Sequence, residues 1–475
     1  MMRIQLLFYI LLCVLIPRLV QAEDSVPGLF IEGYTGLVSY APGEKAGFHI
    51  STSAPEFSMK IERVGAKREI VWEKKSIPGK AYPIPETASS KGCGWPEVIS
   101  LDIPSDWKSG YYHVTLFAQD SGGKFVQRNK RTAESSCYFI LRSASPGQDT
   151  QILLQLATNT YNAYNNWGGS SVYGYHGRNY LQGNEVSFLR PPKSQFSKWE
   201  EHFVAWAEKN GYTLDFASNM DLQFRPELLD NYKLVLSLGH DEYWTWEMRD
   251  SLEGFVAKGG NAAFFSGNTC CWQIRWREET RSFVTWKQWF NLDPVYQTAE
   301  EQRLSSLWSH HLVKRPENQM TGVGFLHGGY HLSHGQYMDG KGSFVVHRPE
   351  HWMLTGTNLK RGDEFGGEDT IVGYECDGCE LEWRDGLPFP TYQDGTPKSF
   401  TVLATCPAKW APGDAYWYEK WPGPDHEGNA VLGIYTVENG GTVVTAGTTD
   451  WAHGLRTPDP AVERITKNVL DRLSK

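Results

Sequence analysis

The chain has 475 residues, 40% hydrophobic and 21% charged, which excludes a disordered protein and leaves room for two or three domains. Its formal net charge of -9 argues against a nucleic-acid partner, which would call for a basic patch. The 19 Trp and 23 Tyr belong mostly to cores and domain contacts, with a minority available to line an aromatic cleft.

Residues 1–22 read as a signal peptide. Arg3 is its positive end, Leu6 to Ile16 its apolar core, and Val20-Gln21-Ala22 a small-residue cleavage pattern. Pro17 and Arg18 break the run, which is short for a spanning helix, and no later segment is apolar enough to cross a membrane. The protein is therefore expected to be secreted or periplasmic. Cys13 would leave with the signal; of the seven other cysteines, Cys93 and Cys137 are expected to form a disulfide, since both fall in one proposed domain of an exported chain. Cys270-Cys271 reads as buried or disulfide-bonded. Cys376-Asp377-Gly378-Cys379 has half of a zinc-ribbon spacing with no second pair after it.

Residues 23–145 read as an all-β, immunoglobulin-like sandwich with a structural role. Phe57, Met59 and Ile61 alternate with polar residues, as do Tyr112, Val114 and Leu116, and turn signals such as Ala41-Pro42-Gly43 separate such runs. From Ser145-Pro146-Gly147 the pattern changes, and residues 146–475 read as an α/β domain. Ile152 to Leu156 is a short apolar strand. Phe196, Trp199, Phe203 and Trp206 share a helix face that Gly211 ends. Tyr212 to Ala217 and Leu234 to Leu238 follow as strands. Thr245 caps a helix with Met248, Leu252, Phe255 and Val256 inward, and Ala262 to Phe265 is the next strand. This alternation predicts a mainly parallel sheet covered on both sides. Residues 275–420 have weak periodicity and read as long excursions that build a site. Val431 to Val437 and Thr442 to Thr445 return as strands, and Asp459-Pro460 starts a last helix with Val462, Ile465, Val469 and Leu473 inward.

Four segments fall at predicted strand ends, where ligands bind in open α/β sheets. They are Asn162 to Tyr173, the run Gly239-His240-Asp241-Glu242-Tyr243-Trp244, Ser266-Gly267-Asn268, and Gly373-Tyr374-Glu375-Cys376-Asp377. The second carries the strongest signal, because charge at the end of a buried strand is costly unless paired or bound to a metal. Neighbours on an extended chain face opposite sides, so Asp241 is expected to point away from Glu242. On the residues alone, Tyr164 and Tyr173 read more readily as core or turn tyrosines. His240 reads equally as a strand-end histidine, Asn268 as a turn residue and Glu375 as a partner for an arginine. There is no Gly-x-Ser-x-Gly elbow and no His-Glu-x-x-His, and His310-His311 and His327…His331…His334 fit no standard metal spacing.

Together these segments resemble the large (beta) subunit of N,N-dimethylformamidase and its relatives. The resemblance rests on Ala-Tyr-Asn…Gly-Gly-Ser…Tyr, Gly-His-Asp-Glu-Tyr-Trp, Gly-Asn…Trp-Gln-Ile-Arg and Gly-Tyr-Glu-Cys-Asp, and covers roughly residues 146–475. It implies a class I glutamine amidotransferase-like catalytic domain that holds one iron ion, through Glu242, Tyr164 and either Tyr173 or Tyr175, with Tyr173 preferred. His240, Asn268 and Glu375 match family residues placed around the metal. Two phenolates and a carboxylate are hard oxygen donors and suit ferric iron better than zinc or copper(I). The expected activity is hydrolysis of a linear amide C–N bond. Glu375 would be the general base, His240 would assist it, and Asn268 would bond the developing oxyanion. The expected partner is a small-molecule amide, with self-association left open. A secreted carbohydrate-binding or carbohydrate-processing protein on the same fold, and a non-catalytic relative kept for interaction, are the rival readings.

Overall fold

Residues 28–120, 131–333, 336–410 and 427–475 are described by the structure, a computed structural model; the expected signal peptide and His334 lie outside them. Among the described residues no helix is long and apolar enough to cross a membrane.

Period-2 alternation builds the N-terminal part. Strand Glu56–Val64 turns Phe57, Met59 and Ile61 inward and pairs antiparallel with Gly110–Asp120, whose Val114 and Leu116 are buried on the same face. These strands belong to a five-stranded sheet, and Ile31–Thr35, Lys45–Thr52 and Glu97–Asp102 form a three-stranded one. One core joins residues of both sheets, including Phe48 and Ile50 from one and Ile61 and Phe139 from the other.

The following part is organised by a nine-stranded sheet. Strands Asp215–Ser218, Ile152–Leu156, Leu234–His240, Asn261–Gly267 and Thr442–Thr445 run parallel in that spatial order. Local chemistry marks the helices between them. Thr245 accepts the Met248 N–H at 3.1 Å and starts helix Trp246–Ala257; Asp459 accepts the N–H groups of Ala461 and Val462 and starts Pro460–Leu473. Val462, Ile465, Val469 and Leu473 of that last helix are buried in the main core.

The expected mainly parallel, class I glutamine amidotransferase-like α/β domain is overturned. Beyond Thr442–Thr445 the sheet continues through Glu427–Thr436, Thr401–Lys409, Phe344–Val346 and Glu364–Phe365, all antiparallel, so four of its eight pairings are antiparallel. A further four-stranded sheet joins Glu185–Ser187, Ser282–Val284, Trp272–Arg277 and Tyr243–Thr245. Strands dominate the described chain, 27 against 8 α-helices. The strands missed in residues 275–420 are mostly two to six residues long, too short for a period of two to stand out, and Gly and Pro interrupt them.

The Cys93–Cys137 disulfide is also corrected. Both are free thiols, as are the other five described cysteines, and all seven are buried. Cys93 packs with Tyr34, Ala88 and Trp95, whereas Cys137 lies in the core between the two N-terminal sheets, so the two sit in different clusters.

Candidate functional site

The run that ends strand Leu234–His240 is placed by one glycine. Gly239 has φ +68, and a Cβ there would lie 2.6 Å from the Trp199 Cβ, so only glycine lets the chain turn under that indole. The next residues then diverge. Asp241 points back into the sheet and accepts from Gln155, from Ser237 at 2.8 Å and from Asn219 at 3.0 Å. Glu242 points the other way, its backbone N–H donating to Thr160 Oγ1 at 2.9 Å.

Glu242 is the centre of a buried acidic cluster. Its Oε1 accepts from Trp272 Nε1 at 2.8 Å, and the Tyr173 hydroxyl lies 2.9 and 3.1 Å from its two oxygens. Tyr164, at the end of helix Thr158–Ala163, brings its hydroxyl within 2.7 Å of that of Tyr173. The structure thus brings Tyr164, Tyr173 and Glu242 together. Tyr175, the alternative second tyrosine, is 61% exposed and packs on the Tyr173 and His176 rings instead.

His240 links this cluster to Glu375. Its Nε2 is 2.6 Å from Glu375 Oε2 and 3.2 Å from Glu242 Oε2. Both contacts are within ion-pair distance but off the line of a good hydrogen bond, so the attraction is chiefly electrostatic. Trp199 and Tyr374 stand edge-on to the imidazole. Asn268 follows Gly267, which pairs with His240 in the sheet. It has φ +49, and Asp377 holds it there by accepting the N–H groups of Asn268 and Thr269, each at 3.0 Å. The Asn268 Oδ1 is buried and meets no hydrogen-bond partner among the described residues.

Burial disfavours the His240 imidazolium, but the carboxylates of Glu375 and Glu242 outweigh it and push the ring up to about 10. Burial likewise raises Glu242, yet His240, Lys287 and Tyr173 overcome it and hold the carboxyl below its ordinary value. Tyr164 and Tyr173 are both raised far above the ordinary phenol, first by burial and then by the Glu242 charge.

Three contributors were not legible as site residues. Tyr243 donates to the Tyr173 hydroxyl at 2.7 Å, and Lys287 donates to Tyr243 at 3.0 Å while its ammonium lies 3.5 Å from the Tyr173 ring centre. Trp272 is the donor to Glu242. Tyr243 reads as scaffold in its motif, Trp272 is one Trp among many, and Lys287 stands in the weakly periodic stretch with no local signal.

The donor set fits a hard, highly charged cation. Two phenols and a carboxylate meet within hydrogen-bond distance, and only a strong Lewis acid readily displaces phenolic protons beside a carboxylate. Lys287 and His240 add positive charge around the same oxygens, which limits the repulsion that three anions would otherwise meet there.

Residues 58–466 match the family model described as N,N-dimethylformamidase beta subunit-like, C-terminal. The N,N-dimethylformamidase beta subunit of Alcaligenes sp is 25% identical over 436 residues, covering 81% of this chain and 55% of that protein. The subunit of the same name from Paracoccus aminophilus is 24% identical over 440 residues, with the same 81% and 55% coverage. The chain thus spans about half the length of these curated relatives. Among solved structures, a β-D-glucuronidase from Dictyoglomus thermophilum is 8% identical over 50% of this chain and 44% of that one; its TM-score of 0.13 carries no argument about the fold.

Proposed function

Because the chain belongs to the N,N-dimethylformamidase beta subunit-like family, we propose that it hydrolyses the C–N bond of small linear amides at the cluster around Glu242. The observation that carries this reading is the meeting of acidic oxygens: the Tyr173 hydroxyl lies 2.7 Å from that of Tyr164 and 2.9 Å from Glu242. Tyr164, Tyr173 and Glu242 would hold a single ferric ion, which when bound polarises a carbonyl or acidifies a water.

The surrounding side chains handle protons and orientation. His240, kept protonated by two carboxylates, stands 2.6 Å from Glu375 Oε2 and orients that carboxyl group. Glu375 Oε2 takes a proton from the attacking water, the hydroxyl joins the acyl carbon, and the same proton goes to the departing nitrogen as the C–N bond breaks. Asn268, fixed by Asp377, donates from its side-chain amide to the carbonyl oxygen as that oxygen gains charge. The relatives are named as beta subunits, so a partner chain is part of the proposal. The signal-like residues 1–22 make the working protein secreted or periplasmic under the same reading.

The test is titration of the purified, metal-stripped chain with ferric iron. Binding at one ion per chain with a tyrosinate-to-iron visible band, and release of amine from N,N-dimethylformamide or another small linear amide, are the expected results. A protein that stays colourless and iron-free and releases no amine would sink the reading.

A further inference from the structure

The two tyrosines sit on a segment that no regular ladder holds. Residues 164–173 leave helix Thr158–Ala163 and run as irregular chain to Tyr173. Buried carbonyls in such a stretch must find donors elsewhere. One side chain supplies the donors for three of them, while backbone N–H groups meet those of Asn166, Gly169, Ser171 and Tyr173. The Arg190 guanidinium, 1% exposed, donates to the carbonyls of Trp167 at 2.6 Å, Ser170 at 3.1 Å and Asn165 at 2.9 Å, and reaches Asn162 Oδ1 at 3.3 Å. Its Nε donates to the Ser187 carbonyl at 3.0 Å, which ties the fork to strand Glu185–Ser187. Among the described residues no carboxylate lies within ion-pair distance of it. The charge of Arg190 is spent on the backbone between the two tyrosines and not on a salt bridge.

The other side of the segment is held by the N-terminal part. Trp167 Nε1 donates to Glu32 at 2.8 Å, and the Trp167 ring meets the edge of Trp95 with centroids 5.6 Å apart. Ser170 Oγ donates to Ser89 Oγ at 2.9 Å. Gly168, at φ +83, passes so close that a Cβ would lie 3.0 Å from the Ser89 nitrogen. A planar fork with five donors can satisfy several diverging carbonyls at once, which a lysine cannot.

We infer that Arg190 is a positioning residue that sets the approach of the Tyr164 and Tyr173 hydroxyls, and that Glu32, Ser89 and Trp95 of the N-terminal part complete the clamp. The inference rests on the proposed role of the two tyrosines, and it gives the N-terminal part a share in building the site. Outer partners of metal ligands are commonly worth 10–100-fold in affinity.

The test uses the full chain with Arg190→Met, Arg190→Lys and Trp167→Phe, the last keeping an aromatic ring but losing the N–H to Glu32. Two readouts are taken well below each variant's unfolding temperature, with the fold checked by circular dichroism. Deuterium exchange of backbone amides 162–173 is followed without iron, and ferric titration is followed by the tyrosinate band. Expected are faster exchange confined to that segment, iron affinity ~100-fold weaker for Arg190→Met and ~10-fold weaker for Trp167→Phe, and Arg190→Lys in between. Folded Arg190→Met with wild-type exchange, affinity and band position would overturn the clamp. If Arg190→Met does not fold, Trp167→Phe decides by the same criteria. A wild-type chain that takes up no iron would refute the tyrosine-site reading, and the exchange comparison would still decide whether the clamp exists.

Discussion

Glu200 offers a direct test of the electrostatics beneath the site. It is fully buried at the start of helix Glu200–Lys209; one oxygen accepts the Tyr161 hydroxyl, and the other meets no partner among the described residues. Burial pushes its carboxyl up to about 8, against the Tyr161 bond, which favours the ionised form. The unfolded chain ionises at an ordinary glutamate pKa of about 4.3. Between those two values the native state holds a proton that the unfolded state has released. The stabilisation is therefore complete below about pH 4.3 and is lost progressively as pH rises to about 8. One proton is worth about 1.4 kcal/mol per pH unit, so over the roughly 2.7 units from about pH 4.3 to pH 7 this group alone removes roughly 4 kcal/mol. Glu200→Gln keeps an acceptor for Tyr161 and cannot ionise. Urea unfolding from pH 4.5 to 8.5 should show wild type losing stability with pH more steeply than the variant, by about one proton. The variant should be the more stable above pH 7. Parallel stability curves for the two proteins would refute the reasoning.

Tyr173→Phe removes one proposed ligand and the acceptor of the Tyr243 hydroxyl; iron affinity should fall by ~100-fold or more, while unfolding stability drops by only about 1–3 kcal/mol for the hydrogen bonds lost. Gly239→Ala forces a side chain against Trp199 at a positive φ, and calorimetry should show a loss of about 2–4 kcal/mol together with loss of iron uptake, because His240 and Glu242 follow it directly. Burial pushes the Cys93, Cys137 and Cys406 thiols up to about 12; a thiol reagent should leave the native protein unlabelled and react at all seven positions only after denaturation without reductant. Export should yield a mature chain that begins at Glu23, read by N-terminal sequencing.

Much of the site was legible because its signals are local. A seven-residue buried strand that ends in His240, Asp241 and Glu242 announces a charge problem, and the alternation of an extended chain sends Asp241 and Glu242 to opposite sides. Helix starts at Thr245 and Asp459 were equally legible, since an N-cap acts over three residues. Glu375 was open to pairing with an arginine, and only the packed structure gives it His240. Tyr173 was already preferred over Tyr175 from the sequence; the fold adds that Tyr173 turns toward Glu242, whereas Tyr175, on the turn Gly174–His176, is exposed.

By itself, then, the sequence determined which side chains carry acid and where strands and helices with strong periodicity begin. Tertiary structure alone decided the mixed sheet, the free thiols, and the roles of Lys287 and Arg190. The physical reason is range. Propensity, capping and side-chain alternation act over a few residues, whereas strand pairing, thiol separation and the reach of a guanidinium depend on which distant segments the chain brings together. Lys287 lies against Tyr173 and Arg190 beneath the Trp167 turn only after the sheets have closed around them.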